Sequence, residues 1–500
     1  MEPWGEAPPC VLVVFGASGD LAARKLLPAL AHLAVRRELP GAFGVVGVAR
    51  TEWDDVGFRR FAGHVVAHYA PELAAHAAVW EDLVAGFRYV AGEYDCDETF
   101  ARLASVMRDL ACERGIGGSA LHYLAIPPAA FTTVVDGLGR HGLHRPAEPD
   151  GFVRVVIEKP YGSDLATARE LDARVHAVFE EPQVYRIDHY LGKETVQNLL
   201  ALRFANALFE PMWNGRYVAS VQVTVAEPDG VGHRSAFYEQ TGALRDIVQN
   251  HVMQVLALTL MEPPATMEPD SIRDEKVKLL RAVQTLAVDD VPHEVVRAQY
   301  GPGRVEGHPV PGYRSEPGVS PDSTTETFVA LRLRVGNWRW EGVPIYVRTG
   351  KRLPRRVTEV AVEFKPAPHL PFSPHQSRGL GPNVLVLHIQ PDEGISLRFG
   401  AKVPGRGFEV RSVSMDFLYD TGFAERPADA YERLLLDALT GDPTLFLRTD
   451  EVMQAWRIVA PIQAAWRAGH ADLACYPAGS WGPEEADELL ARDGHRWQAP

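Results

Sequence analysis

The chain has 500 residues, of which 46% are hydrophobic and 23% charged, a composition that is ordinary for folded proteins and excludes a disordered chain. The net charge of −14 disfavours nucleic acid or an anionic membrane as a partner, because both require a basic face. The length exceeds that of one compact core and predicts two or more domains.

The cysteines and the N-terminus bear on cellular location. Cys10, Cys96, Cys112 and Cys475 are scattered and form no C-x-x-C pair, which predicts neither a metal site nor a disulfide framework and is typical of a reducing compartment. No secretory signal or membrane-spanning stretch is recognisable in the sequence. We therefore expect a cytoplasmic protein that holds no metal.

The first part of the chain alternates strand and helix patterns. The unbroken apolar run 11–15 predicts a parallel strand buried on both faces, and a helical pattern follows at 21–38, in which Pro28 predicts a kink or local break. Further strands are predicted at 45–49, 121–126 and 152–157. This order is typical of a doubly wound, Rossmann-type dinucleotide-binding domain, which we assign to residues 1–187.

After residue 187 the strand patterns alternate apolar and polar residues, which favours a mainly antiparallel sheet. Such strands are predicted at 220–227, 327–335, 359–365, 383–389 and 395–399. Helical patterns lie at 193–208, 242–260, 273–286 and 428–439. The stretch 301–323 is rich in Gly, Pro and Ser and predicts a long irregular loop. Residues 188–500 are thus predicted to form a larger α+β domain.

A glycine turn follows the first strand. Gly16 allows a sharp turn, Gly19 allows a pyrophosphate to approach the backbone, and the helix N-terminus after them favours an anion. The turn continues through Asp20 and Leu21. Its spacing is G-x-x-G-x-x-A rather than G-x-G-x-x-G, so a plain turn between strand and helix is the alternative.

The end of the second strand bears on the coenzyme. Arg50 stands where NAD-preferring sites carry an acid, and a guanidinium suits a 2′-phosphate to which Ser18 could also donate a hydrogen bond. A solvated surface arginine is the alternative. Together the two positions predict NADP.

Three further clusters carry polar groups suited to chemistry. Lys159 follows a buried strand, before Pro160, whose peptide bond could be cis; a surface lysine is the alternative. If helical, His189 and Lys193 lie on one face as a cationic pair suited to phosphate, against the alternative of a capped helix start with solvated charges. His251 lies on an apolar helical stripe, where a core histidine is the alternative; α-helical periodicity places Asp246 well round the helix from it.

The segments GASGDLA, EKPYG, RIDHYLGKE and RDIVQNH, in this order, closely resemble glucose-6-phosphate dehydrogenase. The segments DEKVKLLRA, VPIYVRTGKRLP, LHIQPDEG and DAYERLLLDAL extend the resemblance, which runs from about Val11 to Pro461. It implies oxidation of glucose 6-phosphate at carbon 1 to 6-phospho-D-glucono-1,5-lactone, with reduction of NADP⁺, as the oxidative start of the pentose phosphate pathway.

The resemblance also implies roles for individual residues. His251 matches the general base, Asp188 the carboxylate that orients its imidazole, and Lys159 a lysine between coenzyme and substrate. Substrate contacts are implied for His189, Tyr190, Lys193, Glu227, Asp246, Lys351, Arg356 and Gln390. Assembly through the sheet of the second domain, as a homodimer or homotetramer, is implied as well.

The segment 232–239 departs from the family pattern, with Glu239 in place of Asp. His388 and Arg398 do not reproduce the second NADP site of some animal members, so that site is not predicted. Two other functions stay open at this level: an NADP-dependent oxidoreductase of an unphosphorylated sugar, and a non-catalytic NADP-sensing protein. The cationic RIDHYLGKE segment disfavours the first, and a base with an orienting carboxylate disfavours the second.

Overall fold

The computed structural model describes residues 7–405, 407–419 and 428–499. The chain forms two compact units, each discontinuous in sequence. The first holds the described residues up to Gly192 together with Ala265–Arg273 and Ala428–Met453. The second holds Lys193–Pro264, the described residues of Asp274–Pro427, and those from Gln454 onward. The domains expected from sequence, 1–187 and 188–500, are continuous segments, and that division stays a prediction.

The first unit is built on one twisted sheet. Its strands are β1 Cys10–Phe15, β2 Phe43–Ala49, β3 Arg88–Ala91, β4 Ala120–Leu124, β5 Val153–Ile157, β6 Val184–Ile187 and β17 Phe446–Leu447. They lie in the order β17-β6-β5-β4-β1-β2-β3, all parallel except β17. The predicted Rossmann-type sheet is confirmed. Its strand order reverses between β1 and β4, where such sheets bind ligands.

Helices of the first unit are Leu27–Val35, Asp55–Tyr69, Ala77–Ala85, Asp97–Arg114, Phe131–Arg140, Leu165–His176 and Ala430–Thr440. Local sequence explains several of their ends. Asp54 accepts a hydrogen bond from the amide of Gly57, and Asp164 forms a capping box with Thr167. The local irregularity expected near Pro28 is present: the helical stretch changes from π-helical, Ala22–Leu26, to α-helical at Leu27, next to Pro28.

The second unit contains a nine-stranded sheet within the described residues. Its strands, in chain order, are β7 Val218–Ala226, β8 Val295–Gly301, β11 Phe328–Leu333, β12 Ile345–Gly350, β13 Val357–Phe364, β14 Val384–Gln390, β15 Gly394–Lys402, β16 Val410–Leu418 and β18 Leu473–Pro477. Their order is β16-β15-β14-β13-β7-β12-β11-β8-β18. Most neighbours are antiparallel, as predicted, but β12 runs parallel to β7 and β18 parallel to β8.

Helices of the second unit are Glu194–Phe204, Ser235–Ala243, Met253–Leu260, Val291–Glu294 and Glu484–Ala491. Pro269–Ala282 and Thr449–Arg467 contribute residues to both units. The predicted irregular loop 301–323 contains a short hairpin, β9 Gly303–Val305 with β10 His308–Val310. Among the described residues no helix combines the length and apolar character needed to cross a bilayer.

The helix predicted over 242–260 is α-helical only in its second half. Leu244–Val252 is a π-helix, and Gly242 before it has a φ of +61°. A Cβ on Gly242 would lie 2.3 Å from Oε1 of Glu326, whose carboxylate accepts the amide of Leu244 at 3.0 Å. Glu326 therefore caps the π-helix from the segment that precedes β11, a contact that helical periodicity does not reveal.

Candidate active site

The glycine turn lies at the reversal point of the first unit's sheet. Gly16 has a φ of +83°, and a Cβ there would meet the carbonyl oxygen of Ala125 at 2.2 Å. The Gly16 amide donates to Val48 at 2.8 Å, and the Gly19 amide closes the turn on Gly16 at 2.8 Å. Only glycine fits at position 16 because both the backbone angle and the neighbouring strand end exclude a side chain.

Polar groups that suit a 2′-phosphate lie beside this turn. The Thr51 hydroxyl donates to the Ser18 hydroxyl at 2.8 Å, and Arg50 is exposed at the end of β2. Tyr94 lies against the Gly16 amide and close enough to Arg50 for the guanidinium to act on its pKa, which burial raises. An exposed guanidinium and a paired hydroxyl at this position fit the phosphate of NADP.

Two other predicted coenzyme residues are positioned less directly. Asp20 forms an exposed ion pair with Arg24 at 2.6 Å, and Leu21 is half-buried at the start of the first helical segment. Neither makes a contact in the structure that by itself indicates a ligand. Their roles stay predictions.

The end of β5 carries the buried carboxylate that precedes Lys159. Glu158 accepts a hydrogen bond from the Tyr123 hydroxyl at 2.7 Å, and Tyr431 also bonds to it. Burial raises the pKa of Glu158, whereas these hydroxyls and the Lys159 ammonium lower it in part. The Lys159–Pro160 bond is cis, as the sequence suggested. Lys159 therefore leaves the strand at a fixed point of the ligand-binding edge.

Asp188, His189 and Tyr190 follow β6 at the same edge. Asp188 is buried, and its Oδ1 accepts the Tyr190 amide at 2.9 Å, which fixes the carboxylate within its own turn. The imidazole of His189 lies nearly parallel to the Tyr431 ring, with centroids 6.3 Å apart. Lys25 reaches the same ring, 5.8 Å from its centroid. The first unit thus gathers two cationic or basic groups around Tyr431.

The helical pairing of His189 with Lys193 is wrong. Residues 189–193 form turns, and the helix begins at Glu194 with Lys193 as its N-cap. Gly192 explains the turn, since a Cβ there would lie 2.7 Å from the carbonyl oxygen of Ala430. In the second unit Lys193 instead donates to the side chain of Gln390, which itself donates to Thr358 at 3.0 Å.

Arg356 and Gln390 line one cavity of the second unit. The cavity has a volume of about 340 Å³, and its walls include Arg355 and His388. Arg356 also forms an exposed ion pair with Asp229. The structure therefore places two predicted substrate residues in the wall of one cavity of the size of a small ligand, and Lys193 contacts one of them, Gln390.

Glu227 and Lys351 form an ion pair where β7 and β12 end side by side. Burial acts to raise the pKa of Glu227, but the Lys351 ammonium outweighs it and holds that pKa below its usual value. Asp246 acts on the same carboxylate, and Lys351 Nζ lies 5.2 Å from the Tyr238 ring centroid. Three predicted substrate residues are therefore neighbours.

His251 and Asp246 lie on the π-helix of the second unit, and both are buried. A π-helix bonds residues five apart, so positions 246 and 251 return to nearly the same side. The α-helical expectation that they point apart is thus wrong. Such π-helical segments occur frequently at functional sites.

Comparison with known proteins shows what this arrangement is similar to. Residues 13–198 match the family model "Glucose-6-phosphate dehydrogenase, NAD binding domain", and residues 200–498 match "Glucose-6-phosphate dehydrogenase, C-terminal domain". The chain belongs to the glucose-6-phosphate dehydrogenase family. Curated members of the family include glucose-6-phosphate 1-dehydrogenase 2 of Mycobacterium tuberculosis, which is 50% identical over 494 residues, with 99% of this chain and 95% of the relative covered.

Another member, glucose-6-phosphate 1-dehydrogenase of Aggregatibacter actinomycetemcomitans, is 47% identical over 98% of this chain and 97% of its own length. Among solved structures, a glucose-6-phosphate dehydrogenase in complex with its substrate glucose-6-phosphate has a TM-score of 0.90 and 34% identity, with 100% of both chains covered. Glucose-6-phosphate 1-dehydrogenase from Mycobacterium avium has a TM-score of 0.82 and 36% identity, with 99% of each chain covered.

Four residues that the sequence analysis did not single out contact predicted site residues, and a fifth, Lys25, contacts Tyr431, which is one of the four. They are Lys25, Thr51, Tyr94, Tyr238 and Tyr431. Thr51 and Tyr94 follow β2 and β3 at the edge where the glycine turn lies, so a search of the residues after each strand could have found them. Tyr431 lies in the segment DAYERLLLDAL, which carries part of the resemblance, but no local pattern assigns this tyrosine a role.

Proposed function

We propose that His251 is the general base in this chain's oxidation of glucose 6-phosphate to 6-phospho-D-glucono-1,5-lactone, which reduces NADP⁺ to NADPH. The observation that carries the assignment is the π-helix, on which positions 246 and 251 lie on nearly the same side, with Asp246 close enough to act on the Glu227 carboxylate that pairs with Lys351. Sugar hydroxyls need such donors and acceptors, and a buried imidazole beside them suits proton abstraction.

In the proposed reaction, neutral His251 takes the proton of the hydroxyl on carbon 1 as that carbon becomes a carbonyl. When bound, NADP⁺ accepts the two electrons and the hydrogen that leave carbon 1. Asp188 orients the imidazole and stabilises its protonated form, while the Tyr190 amide holds the carboxylate in place. Glu227, Asp246 and Lys351 hold the sugar hydroxyls. Lys159 lies between coenzyme and substrate.

The phosphate group of glucose 6-phosphate requires basic side chains near the sugar site. We propose that Lys193 and Arg356, with Gln390 between them, bind it in the second unit and that His189 and Tyr190 contribute from the first. Support comes from the shared cavity and the Lys193–Gln390 bond. Charge-assisted contacts of this kind are the strong ones for phosphate. Gly16, Ser18, Gly19 and Arg50 hold NADP in the first unit.

The experiment is an absorbance assay of NADPH formation with glucose 6-phosphate, glucose and 6-phosphogluconate. The wild-type chain is expected to turn over only the first. Replacing the base, His251→Asn, should lower kcat about 10²–10⁴-fold with little change in KM, since that is the range of general-base catalysis. His308→Asn, on the exposed hairpin, is the matched control. Near-normal kcat in His251→Asn would refute the base assignment.

Assembly is proposed from an exposed apolar stripe on the second unit's sheet. β16 is the edge strand, and its register with β15 pairs Ile395 with Phe417, Leu397 with Met415, and Phe399 with Val413. Met415 is 60% exposed, so this face leaves apolar surface in water. A second copy of the chain, in a homodimer or a dimer of dimers, would cover it.

The proposed location is the cytoplasm. All four cysteines are free thiols, Cys10 among them in a buried position where burial raises the pKa of its thiol to about 12. Free cysteines are usual in a reducing compartment.

A further inference from the structure

Arg352, the residue after Lys351, has a backbone conformation that side chains seldom adopt. Its φ is +54°, in the left-handed region that glycine occupies most readily. Residues of other types keep this conformation only when their surroundings hold them there. The position directly follows a residue that pairs with Glu227, so what holds Arg352 also decides where Lys351 points.

Backbone hydrogen bonds hold the segment on both sides. The Lys351 amide donates to the Thr327 carbonyl at 3.0 Å, and the Lys351 carbonyl accepts the Tyr476 hydroxyl at 2.6 Å. The Arg352 amide donates to the Asp229 carbonyl at 3.2 Å, and its carbonyl accepts the Gly479 amide at 2.7 Å. The turn is therefore tied to the loop that follows β7 and carries Glu227.

The Arg352 side chain adds an ion pair across that same loop. Its guanidinium lies 3.2 Å from Oε1 of Glu316, which also accepts the Tyr300 hydroxyl at 3.0 Å. The Glu316 side chain is only 7% exposed, so water screens the pair little. The buried Glu316 carboxylate is held in a defined position because it accepts hydrogen bonds from two donors. Its ion pair in turn fixes the position of the Arg352 guanidinium.

Gly230 places the loop directly against this pair. A Cβ on Gly230 would lie 2.6 Å from Oε1 of Glu316 and 2.7 Å from Nε of Arg352. The absence of a side chain at this position lets the backbone of the Glu227 loop lie on the ion pair. The loop that carries Glu227 and the turn that carries Lys351 therefore both pack on the Arg352–Glu316 ion pair.

We propose that Arg352 and Glu316, packed on Gly230, are positioning residues that hold Glu227 and Lys351 in register for the sugar of glucose 6-phosphate. The proposal rests on the proposed function, because it assigns Glu227 and Lys351 to the substrate. Neither Arg352 nor Glu316 touches the substrate in this proposal. They act by fixing the two loops on which the contacting residues lie.

The test compares three single variants with the wild-type enzyme. Arg352→Gly permits the backbone angle but removes the ion pair, and Gly230→Ala displaces the pair without changing either charged residue. Both should raise KM for glucose 6-phosphate, and its Kd measured by calorimetry, about tenfold, with kcat within about threefold and KM for NADP⁺ unchanged. Arg352→Lys, which keeps the charge, should retain most of the affinity.

Glu306→Gly is the matched control, because Glu306 also has a positive φ, of 50°, but lies exposed in the hairpin turn. Its KM should equal that of the wild type. Normal KM and Kd in both Arg352→Gly and Gly230→Ala would overturn the proposal. So would a parallel loss of kcat and NADP⁺ affinity, which indicates general unfolding. A failure of the proposed function is distinguishable from a failure of this proposal. A wild-type chain that binds glucose 6-phosphate without turnover would refute the reaction. The Kd values of the wild type and the variants would still test whether Arg352 and Glu316 position Glu227 and Lys351.

Discussion

Three side chains beside the glycine turn bear on the coenzyme preference that we propose for the first unit. Ser18 and Thr51 bond to each other, and Arg50 stands exposed beside them. A guanidinium interacts strongly with a phosphate dianion but gains little from a ribose hydroxyl. The preference for NADP over NAD is therefore expected to depend mainly on one residue.

Arg50→Gln should raise KM for NADP⁺ about 10–100-fold, the loss expected for one hydrogen bond to a charged group. KM for NAD⁺ should stay within about twofold, because NAD⁺ lacks the 2′-phosphate. Steady-state kinetics with both coenzymes measures this. Arg60→Gln, an exposed arginine on the next helix, is the control. An equal rise for both coenzymes would contradict the assignment.

Lys193→Ala should raise KM for glucose 6-phosphate about 10–100-fold and change kcat much less, because its proposed contact is with a phosphate that does not react. The Lys193 ammonium donates a hydrogen bond to the side chain of Gln390, so Gln390→Leu should raise KM for glucose 6-phosphate by a smaller factor. An unchanged KM in Lys193→Ala would exclude it from the phosphate site.

At the level of elements, one buried histidine in the first unit makes the stability of the chain depend on pH. His122 lies in the centre of β4, fully buried, with its Nε2 2.8 Å from the Leu143 carbonyl. Burial lowers the pKa of His122 to about 4, although the bond to Leu143 acts in the opposite direction. Between pH 6.5 and 4 the unfolded chain therefore binds a proton that the folded chain does not, so stability falls as the pH falls.

His122→Gln should remove this dependence. The free energy of unfolding of the wild-type chain should decrease by about 2 kcal/mol more than that of the variant between pH 7 and pH 5. Urea denaturation followed by circular dichroism at the two pH values measures the difference. The exposed His64 gives the control, His64→Gln, which should behave as the wild type. Equal pH dependence in wild type and His122→Gln would show that His122 titrates normally.

The π-helix illustrates why some elements escape sequence analysis. Its residues Leu244, Ile247, Val248 and Val252 fit an α-helical stripe as well as a π-helical one. The local choice between the two depends on Gly242 and on the Glu326 cap, which is supplied by a segment about eighty residues away. The apolar periodicity of residues 244–252 therefore cannot reveal that the buried Glu326 carboxylate caps this segment.

For the whole molecule, the exposed stripe on β15 and β16 predicts self-association. Met415→Glu places a charge in the proposed contact and should shift the chain from dimer or tetramer to monomer in sedimentation velocity at micromolar concentration, since a buried unpaired charge is costly. Ser414→Glu, on the opposite face of the same strand, should leave the assembly intact. A wild-type chain that is monomeric at that concentration would contradict the proposed interface.

Features that depend on the chemistry of neighbouring residues could be predicted from the sequence. Apolar runs predicted β1, β2, β4 and β5 of the first sheet but not its other strands, and Pro28 predicted the local irregularity of the first helix. Alternating patterns predicted β7, β11, β13, β14 and β15 of the second unit but not β8, β12, β16 or β18. Each of these follows from the conformational preferences and burial of neighbouring residues, and the long motifs added the family.

Features that depend on partners far along the chain could not be predicted from the sequence. The tertiary structure pairs β12 with β7 in parallel and so brings Lys351 to Glu227, folds residues 189–192 into turns rather than a helix, and places Tyr431 beside His189. The physical reason is common to all three. Strand register, buried ion pairs and close backbone contacts, such as that of Gly192 with Ala430, are set by packing between segments, and no window of sequence contains both partners.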